Sequence, residues 1–149
     1  MRRGWDLRKR RQMRVAIFGA GAIGGLVGAV LHRAGADVGV LARGGHLEAI
    51  RRDGLSLTAD GQTETYKLRA TASPEELGPQ DLVIVAVKAP SLPAVAASIS
   101  PLLGPDTAVA FLMNGIPWWY FHGHGGRDEG RRIPLADPGG TIWDAIGPD

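Results

Sequence analysis

The chain has 149 residues, about one domain's worth and too few for two of ordinary size. Hydrophobic residues make up 44% and charged ones 21%, which excludes wholesale disorder. The absence of cysteine excludes disulfide frameworks, thiolate nucleophiles and cysteine-ligated zinc together. The net charge of +2 is unevenly spread: residues 1–12 hold six of the 17 Lys and Arg, and the rest carries eleven basic against fourteen acidic groups. This places a basic, disordered tail at 1–12 ahead of a mildly acidic domain at 13–149. A nucleic-acid arm is the alternative for the tail, but no basic surface follows it, so no nucleic-acid partner is expected. The longest uncharged apolar stretch, Val15–Leu31, falls short of a membrane span and is crowded with glycine. With no apolar leader either, the expectation is a cytoplasmic protein with no membrane partner.

From Met13 onward, short β-rich runs alternate with helical stretches. Val15–Phe18 is continuous and apolar and stops at Gly19, the pattern of a strand buried on both faces. Ala22–Ala34 reads as a helix stopped by Gly35, and Asp37–Leu41 as a second strand. His46–Asp53 places Leu47 and Ile50 at helical spacing, with Gly54 as its C-terminal stop. Leu55–Thr58 and Glu64–Leu68 alternate around Asp60-Gly61 as a hairpin would. Ser73-Pro74-Glu75-Glu76 has the form of a capping box that opens a short helix. Asp81–Val87 is a second continuous apolar strand, Leu92–Ser100 a short helix and Ala108–Leu112 another buried strand. The chain then turns irregular and Gly-rich, with a last short helix at Thr141–Ala145. Strands alternating with helices predict an α/β fold with a doubly wound, mostly parallel sheet of the Rossmann type.

Gly19-Ala20-Gly21-Ala22-Ile23-Gly24 matches G-x-G-x-x-G between the first strand and the first helix, the context in which that spacing has a mechanism. The first glycine permits the tight turn, the second lets backbone approach a pyrophosphate, and the third seats the helix on the sheet. The helix N-terminus then offers free N–H groups to the phosphates. A methyltransferase can use a similar loop, so the loop alone does not specify a nicotinamide cofactor. At the end of the second strand, where an NAD site usually holds a carboxylate, the chain has Arg43. Its guanidinium suits the 2′-phosphate of NADP(H); the alternative is a solvated surface arginine. Lys88 and Asn114 each follow an apolar strand, at the ends where ligands of such sheets bind. Lys88 can meet a cofactor ribose or phosphate, and Asn114 a nicotinamide ribose or a substrate hydroxyl. Their bland readings are a snorkelling lysine and an Asn-Gly turn.

GAGAIGG after the first strand, ARG after the second, VAVKA and then NGIPWW after later ones together resemble the ketopantoate reductase (2-dehydropantoate 2-reductase) family. The resemblance runs from about Met13 to the C-terminus. It implies an NADPH-dependent reduction of a 2-oxo acid, 2-dehydropantoate to pantoate, in pantothenate biosynthesis. It also implies that Gly19 to Gly24 bind the pyrophosphate and Arg43 the 2′-phosphate. Lys88 would contact cofactor ribose, and Asn114 both nicotinamide ribose and substrate. Family members are about twice this length, and their helical second domain carries the proton-donating lysine. The three lysines here are Lys9, Lys67 and Lys88, so no catalytic proton donor is expected in this chain. The expectation is the cofactor-binding half of a reductase, with self-association through the surface a second domain would cover. The aromatic run Trp118 to Phe121 is expected to pack under the Gly-rich loop or against a neighbouring domain, the alternative being that it belongs to that uncovered surface. A stand-alone NADP-binding module without catalysis is the alternative.

His122-Gly123-His124 has two imidazoles at a spacing that can share an ion, but nothing nearby completes a metal site, and none is expected. Ser91, Ser98 and Ser100 lack the setting of a hydrolase nucleophile.

Overall fold

The computed structural model describes residues 11–148; the basic segment before Arg11 lies outside the described residues. Five strands form one parallel sheet: β1 (Arg14–Phe18), β2 (Asp37–Leu41), β5 (Arg69–Thr71), β6 (Leu82–Val85) and β7 (Ala108–Phe111). Their spatial order is β5-β2-β1-β6-β7, so the chain winds outward one way from β1, then returns and winds the other way. Helix α1 (Ala22–Arg33) links β1 to β2, and α2 (Gly44–Asp53) follows β2. A separate antiparallel hairpin, β3 (Leu55–Ala59) and β4 (Gln62–Tyr66), precedes β5. Between β6 and β7 lies α3 (Leu92–Ala96), and α4 (Thr141–Ala145) closes the described chain. No helix of the described residues is long and apolar enough to cross a membrane.

The continuous apolar runs become strands because the sheet is covered on both faces. Ala16 and Phe18 of β1 enter a core with Val83, Val85, Val95, Ile99 and Trp118, whereas Val15 and Ile17 enter another with Val38, Val40, Leu47 and Ile50. A strand with alternate residues in two dry cores has no polar face to spare. Arg11 and Gln12 already belong to this body. Arg11 pairs with Asp81, and the Gln12 side-chain amide donates to the Gly35 carbonyl at 2.8 Å.

Several boundaries differ from the sequence reading, each for a local reason. Strand β5 has only three residues, too few for any periodicity, and it pairs on the sheet edge with Gly39–Leu41. Ser73 does not cap a helix; its hydroxyl donates to Glu75, and Pro74–Glu76 is a single 3₁₀ turn. The helix at Leu92 ends at Ala96, and the chain resumes as a 3₁₀ turn at Ser100–Leu102. The Gly-rich end is anchored by α4, whose Ile142 and Trp143 N–H groups both donate to the buried carboxylate of Asp137 at 2.9 Å. Trp118 is in the core at 3% exposure, packed edge-on against Phe111, so it is not part of a bare aromatic surface. Tyr120 remains open to solvent.

Candidate functional site

The order of strands reverses beside β1, between β2 and β6, and the glycine loop leaves β1 at that end. Crevices at such reversals are where open α/β sheets take their ligands. Gly19 has φ +101°, and a Cβ there would sit 2.8 Å from Val87 Cγ1 and 2.9 Å from the Ala86 carbonyl oxygen. At Gly24 a Cβ would lie 2.0 Å from the Gly19 carbonyl oxygen. Gly21 is the opposite case: nothing lies within 4 Å of the position its Cβ would take. Two of the three motif glycines are therefore required by the protein itself, and the third keeps a space open. Gly21 has no side chain to cap α1, and the first intrahelical bond runs from the Gly25 N–H to the Gly21 carbonyl at 2.7 Å. The N–H groups of Ala22, Ile23 and Gly24 precede it and are the helix's orphan donors. Gly21, Ala22 and Ile23 are exposed; Ala20 is buried. This cradle fits a dinucleotide pyrophosphate on steric grounds and on donor grounds.

A cleft of about 460 Å³ opens beside the loop, lined by Gly19, Ala20, Ala42, Arg43, His46 and Pro90 among others, with no carboxylate in its wall. Arg43 is the residue immediately before α2; it is exposed, and among the described residues it has no ion pair. Its guanidinium is thus uncommitted, next to a cradle that offers N–H groups. His46 was not singled out in the sequence, yet its Nε2 donates to the Ala20 carbonyl at 2.6 Å and ties α2 to the glycine loop. Its position three residues after Arg43 was the available signal.

Lys88 is exposed just past β6, where it precedes the 3₁₀ turn Ala89–Ser91. That turn stands between the first cleft and a larger one of about 670 Å³, and Pro90 lines both. Asn114 lines the larger cleft with Ile116, Trp119 and Leu135. Asn114 does not itself take the left-handed conformation; the positive φ, +124°, belongs to Gly115. The turn therefore does not need asparagine for its backbone geometry. The glycine loop, Arg43 and His46 come together on one cleft, and Asn114 faces another.

Two perturbed carboxylates, Asp81 and Glu129, lie away from both clefts. Asp81, at the opposite end of β6, is held below the usual range by the Arg14 N–H at 2.8 Å and by the Arg11 guanidinium. Glu129 is lowered by the N–H groups of Gly125 and Gly123, and it closes the loop that carries His122 and His124. His124 packs edge-on against Phe121, and His122 against Trp143. Among the described residues no three His, Asp or Glu side chains group as a metal site.

The family model described as ketopantoate reductase PanE/ApbA matches residues 15–117. A 2-dehydropantoate 2-reductase of Mesorhizobium japonicum is 53% identical over 137 residues, covering 91% of this chain and 42% of that protein. A crystal structure from Ralstonia solanacearum MolK2, assigned as a ketopantoate reductase, superposes with a TM-score of 0.87 at 51% identity over 91% of this chain and 42% of that one. A ternary structure of D-mandelate dehydrogenase with NADH and anilino(oxo)acetate gives a TM-score of 0.64 at 34% identity, covering 70% of this chain and 34% of that one. The chain thus spans less than half the length of these proteins.

Proposed function

The chain belongs to the ketopantoate reductase family PanE/ApbA, and from that premise we propose that it supplies the NADPH site for reduction of a 2-oxo acid, 2-dehydropantoate in the first instance. The observation that carries this reading is the pairing of an open Gly21 cradle with the neighbouring carboxylate-free cleft that an uncommitted Arg43 lines. The first motif orients a pyrophosphate on the α1 N-terminus, and the second favours a 2′-phosphate over a 2′-hydroxyl. When bound, the dinucleotide supplies the hydride that reduces the carbonyl carbon.

The protein's own residues bind and orient. Arg43 would hold the 2′-phosphate with a charge-assisted, forked contact. Lys88 adds a second exposed cation at the cofactor side of the sheet and would meet a ribose hydroxyl or phosphate oxygen. Asn114 carries both a donor and an acceptor at the mouth of the larger cleft, where it would hold the nicotinamide ribose and the substrate. Ile116, Trp119 and Leu135 give that cleft an apolar wall suited to the branched alkyl group of a 2-oxo acid. By the family resemblance, the proton for the nascent hydroxyl would come from a lysine of the helical second domain, which has no counterpart after Lys88 here.

Titration calorimetry of wild type and Arg43→Ala with NADPH and with NADH tests the assignment. The wild type is expected to prefer NADPH by about 1–3 kcal/mol, the scale of hydrogen bonds to a charged group, and the variant to lose that preference with NADH binding unchanged. Equal wild-type affinities would refute the role given to Arg43. Failure to bind either dinucleotide would refute the reading of the cleft.

A further inference from the structure

His46 has no place in the glycine motif, yet its ring reaches that loop from α2. Its Nε2 lies 2.6 Å from the Ala20 carbonyl oxygen, and a carbonyl can only accept, so the ring nitrogen donates. Among the described residues no peptide is cis. In a trans peptide the carbonyl of one residue and the N–H of the next point in opposite directions across a rigid plane. Fixing the Ala20 carbonyl toward α2 therefore fixes the Gly21 N–H away from it. Without that anchor the Ala20–Gly21 plane is easy to rotate, because glycine lacks the Cβ that restricts its φ. A rotated plane would turn a carbonyl oxygen toward the space that Gly21 leaves open and repel an anion.

We propose that His46 is a positioning residue for the dinucleotide loop: its hydrogen bond to Ala20 holds the Gly21 N–H as a pyrophosphate donor. The inference rests on the NADPH-site reading above. It differs from the role of Arg43 in a measurable way. Arg43 addresses the 2′-phosphate, which NADH lacks, whereas the pyrophosphate is common to both dinucleotides. Loss of the His46 bond should weaken both cofactors to the same degree.

The test is calorimetric titration of the 149-residue chain with NADPH and with NADH, in the wild type, His46→Leu and His46→Gln, alongside the melting temperature of each apo form. Leucine removes the donor, while glutamine places an amide N–H at similar reach. His46→Leu is expected to weaken both dinucleotides about three- to tenfold, the range set by one net hydrogen bond, and to lower the apo melting temperature by about 2–4 °C. His46→Gln is expected to restore both affinities. Unaltered affinities in His46→Leu, with wild-type binding intact, overturn this inference alone. So does weakening confined to NADPH, which would move His46 to the 2′-phosphate. Loss in both variants with a lowered apo melting temperature overturns it in favour of packing. Absence of binding by the wild type overturns the functional reading and this inference with it.

Discussion

Substituting alanine at Gly21 and at Gly24 should produce opposite phenotypes from the same added methyl group. At Gly24 the new Cβ would stand 2.0 Å from the Gly19 carbonyl oxygen, and contacts under 3.0 Å are essentially never seen, so α1 must move off the loop by about 1 Å. Neither partner is a flexible side-chain tip, and Ile17 and Ala86 block the alternatives at 3.0 and 3.1 Å. Overpacking of this kind costs about 1–3 kcal/mol, and contact with backbone puts this site at the upper end. With a urea m-value of roughly 2 kcal/mol/M for a chain of this size, the midpoint should fall by about 1.5 M. At Gly21 the methyl enters empty space, and φ −71° with ψ −166° is extended backbone that an L-residue adopts. Replacing glycine by alanine at the N-cap costs about 0.5–1 kcal/mol, and the smaller unfolded-state entropy of alanine offsets about that much. Gly21→Ala should therefore unfold with the wild type in urea and yet bind NADPH at least tenfold more weakly. Equilibrium denaturation and titration calorimetry on both variants decide the matter. Gly21→Ala with intact NADPH affinity would show that the open space is not where the dinucleotide approaches. A Gly24→Ala midpoint within error of wild type would refute the packing argument.

Asn114→Ala should weaken NADPH binding with little change in apo melting temperature, since the positive φ of that turn belongs to Gly115; lowered stability with unchanged affinity would favour a purely structural turn. Asp81 has a folded-state pKa below its unfolded value of about 3.9, so its contribution to stability is present above about pH 4 and is lost as pH falls through the lower folded value. In urea titrations across pH, the stability difference between wild type and Asp81→Asn should accordingly shrink below pH 4; a difference constant down to pH 2 would exclude the linkage. The purified 149-residue chain should bind NADPH without measurable ketopantoate-dependent NADPH oxidation, because general acid catalysis is typically worth 10²–10⁴-fold and the lysine that the family resemblance makes the proton donor has no counterpart after Lys88. It should also sediment heavier than a monomer, with Leu135 at 97% and Ile116 at 68% exposure; turnover in a steady-state assay would reveal a proton donor within these residues.

Most of the sheet was legible because its strands declare themselves by continuous apolar runs, and β1 also by the glycine that ends it. Asp37–Leu41 and Thr141–Ala145 were read to the residue. Strand β5 was not, because Arg69-Ala70-Thr71 takes its conformation from an edge it docks against rather than from a pattern of its own. For Trp118 the pattern left packing under the Gly-rich loop and exposure toward a second domain both open, and the core it shares with Phe111 and Ile142 decides for burial. At the site, Gly19–Gly24 and Arg43 carry signals of spacing and charge. His46 carries only its place three residues after Arg43: a side chain that acts through a backbone carbonyl leaves no recurrent motif, and its pairing with Ala20 is a product of the folded chain.

Helix α1 contains Gly24, Gly25 and Gly28, and all three are buried. Each is worth about 1 kcal/mol less than alanine in a helix interior, so roughly 3 kcal/mol of intrinsic helical preference has been given up within one twelve-residue segment. Close approach is what stands in return: a Cβ at Gly28 would already press on Ile17 at 3.3 Å, and one at Gly25 on Leu55 at the same distance. The helix proposed to receive the phosphates is thus among the least self-sufficient elements of the molecule. It cannot persist as a free segment, and its first turn takes shape only where β1 and the hairpin already lie against it. On the proposed reading, anion-binding competence therefore depends on the assembled sheet rather than on the glycine-rich peptide alone.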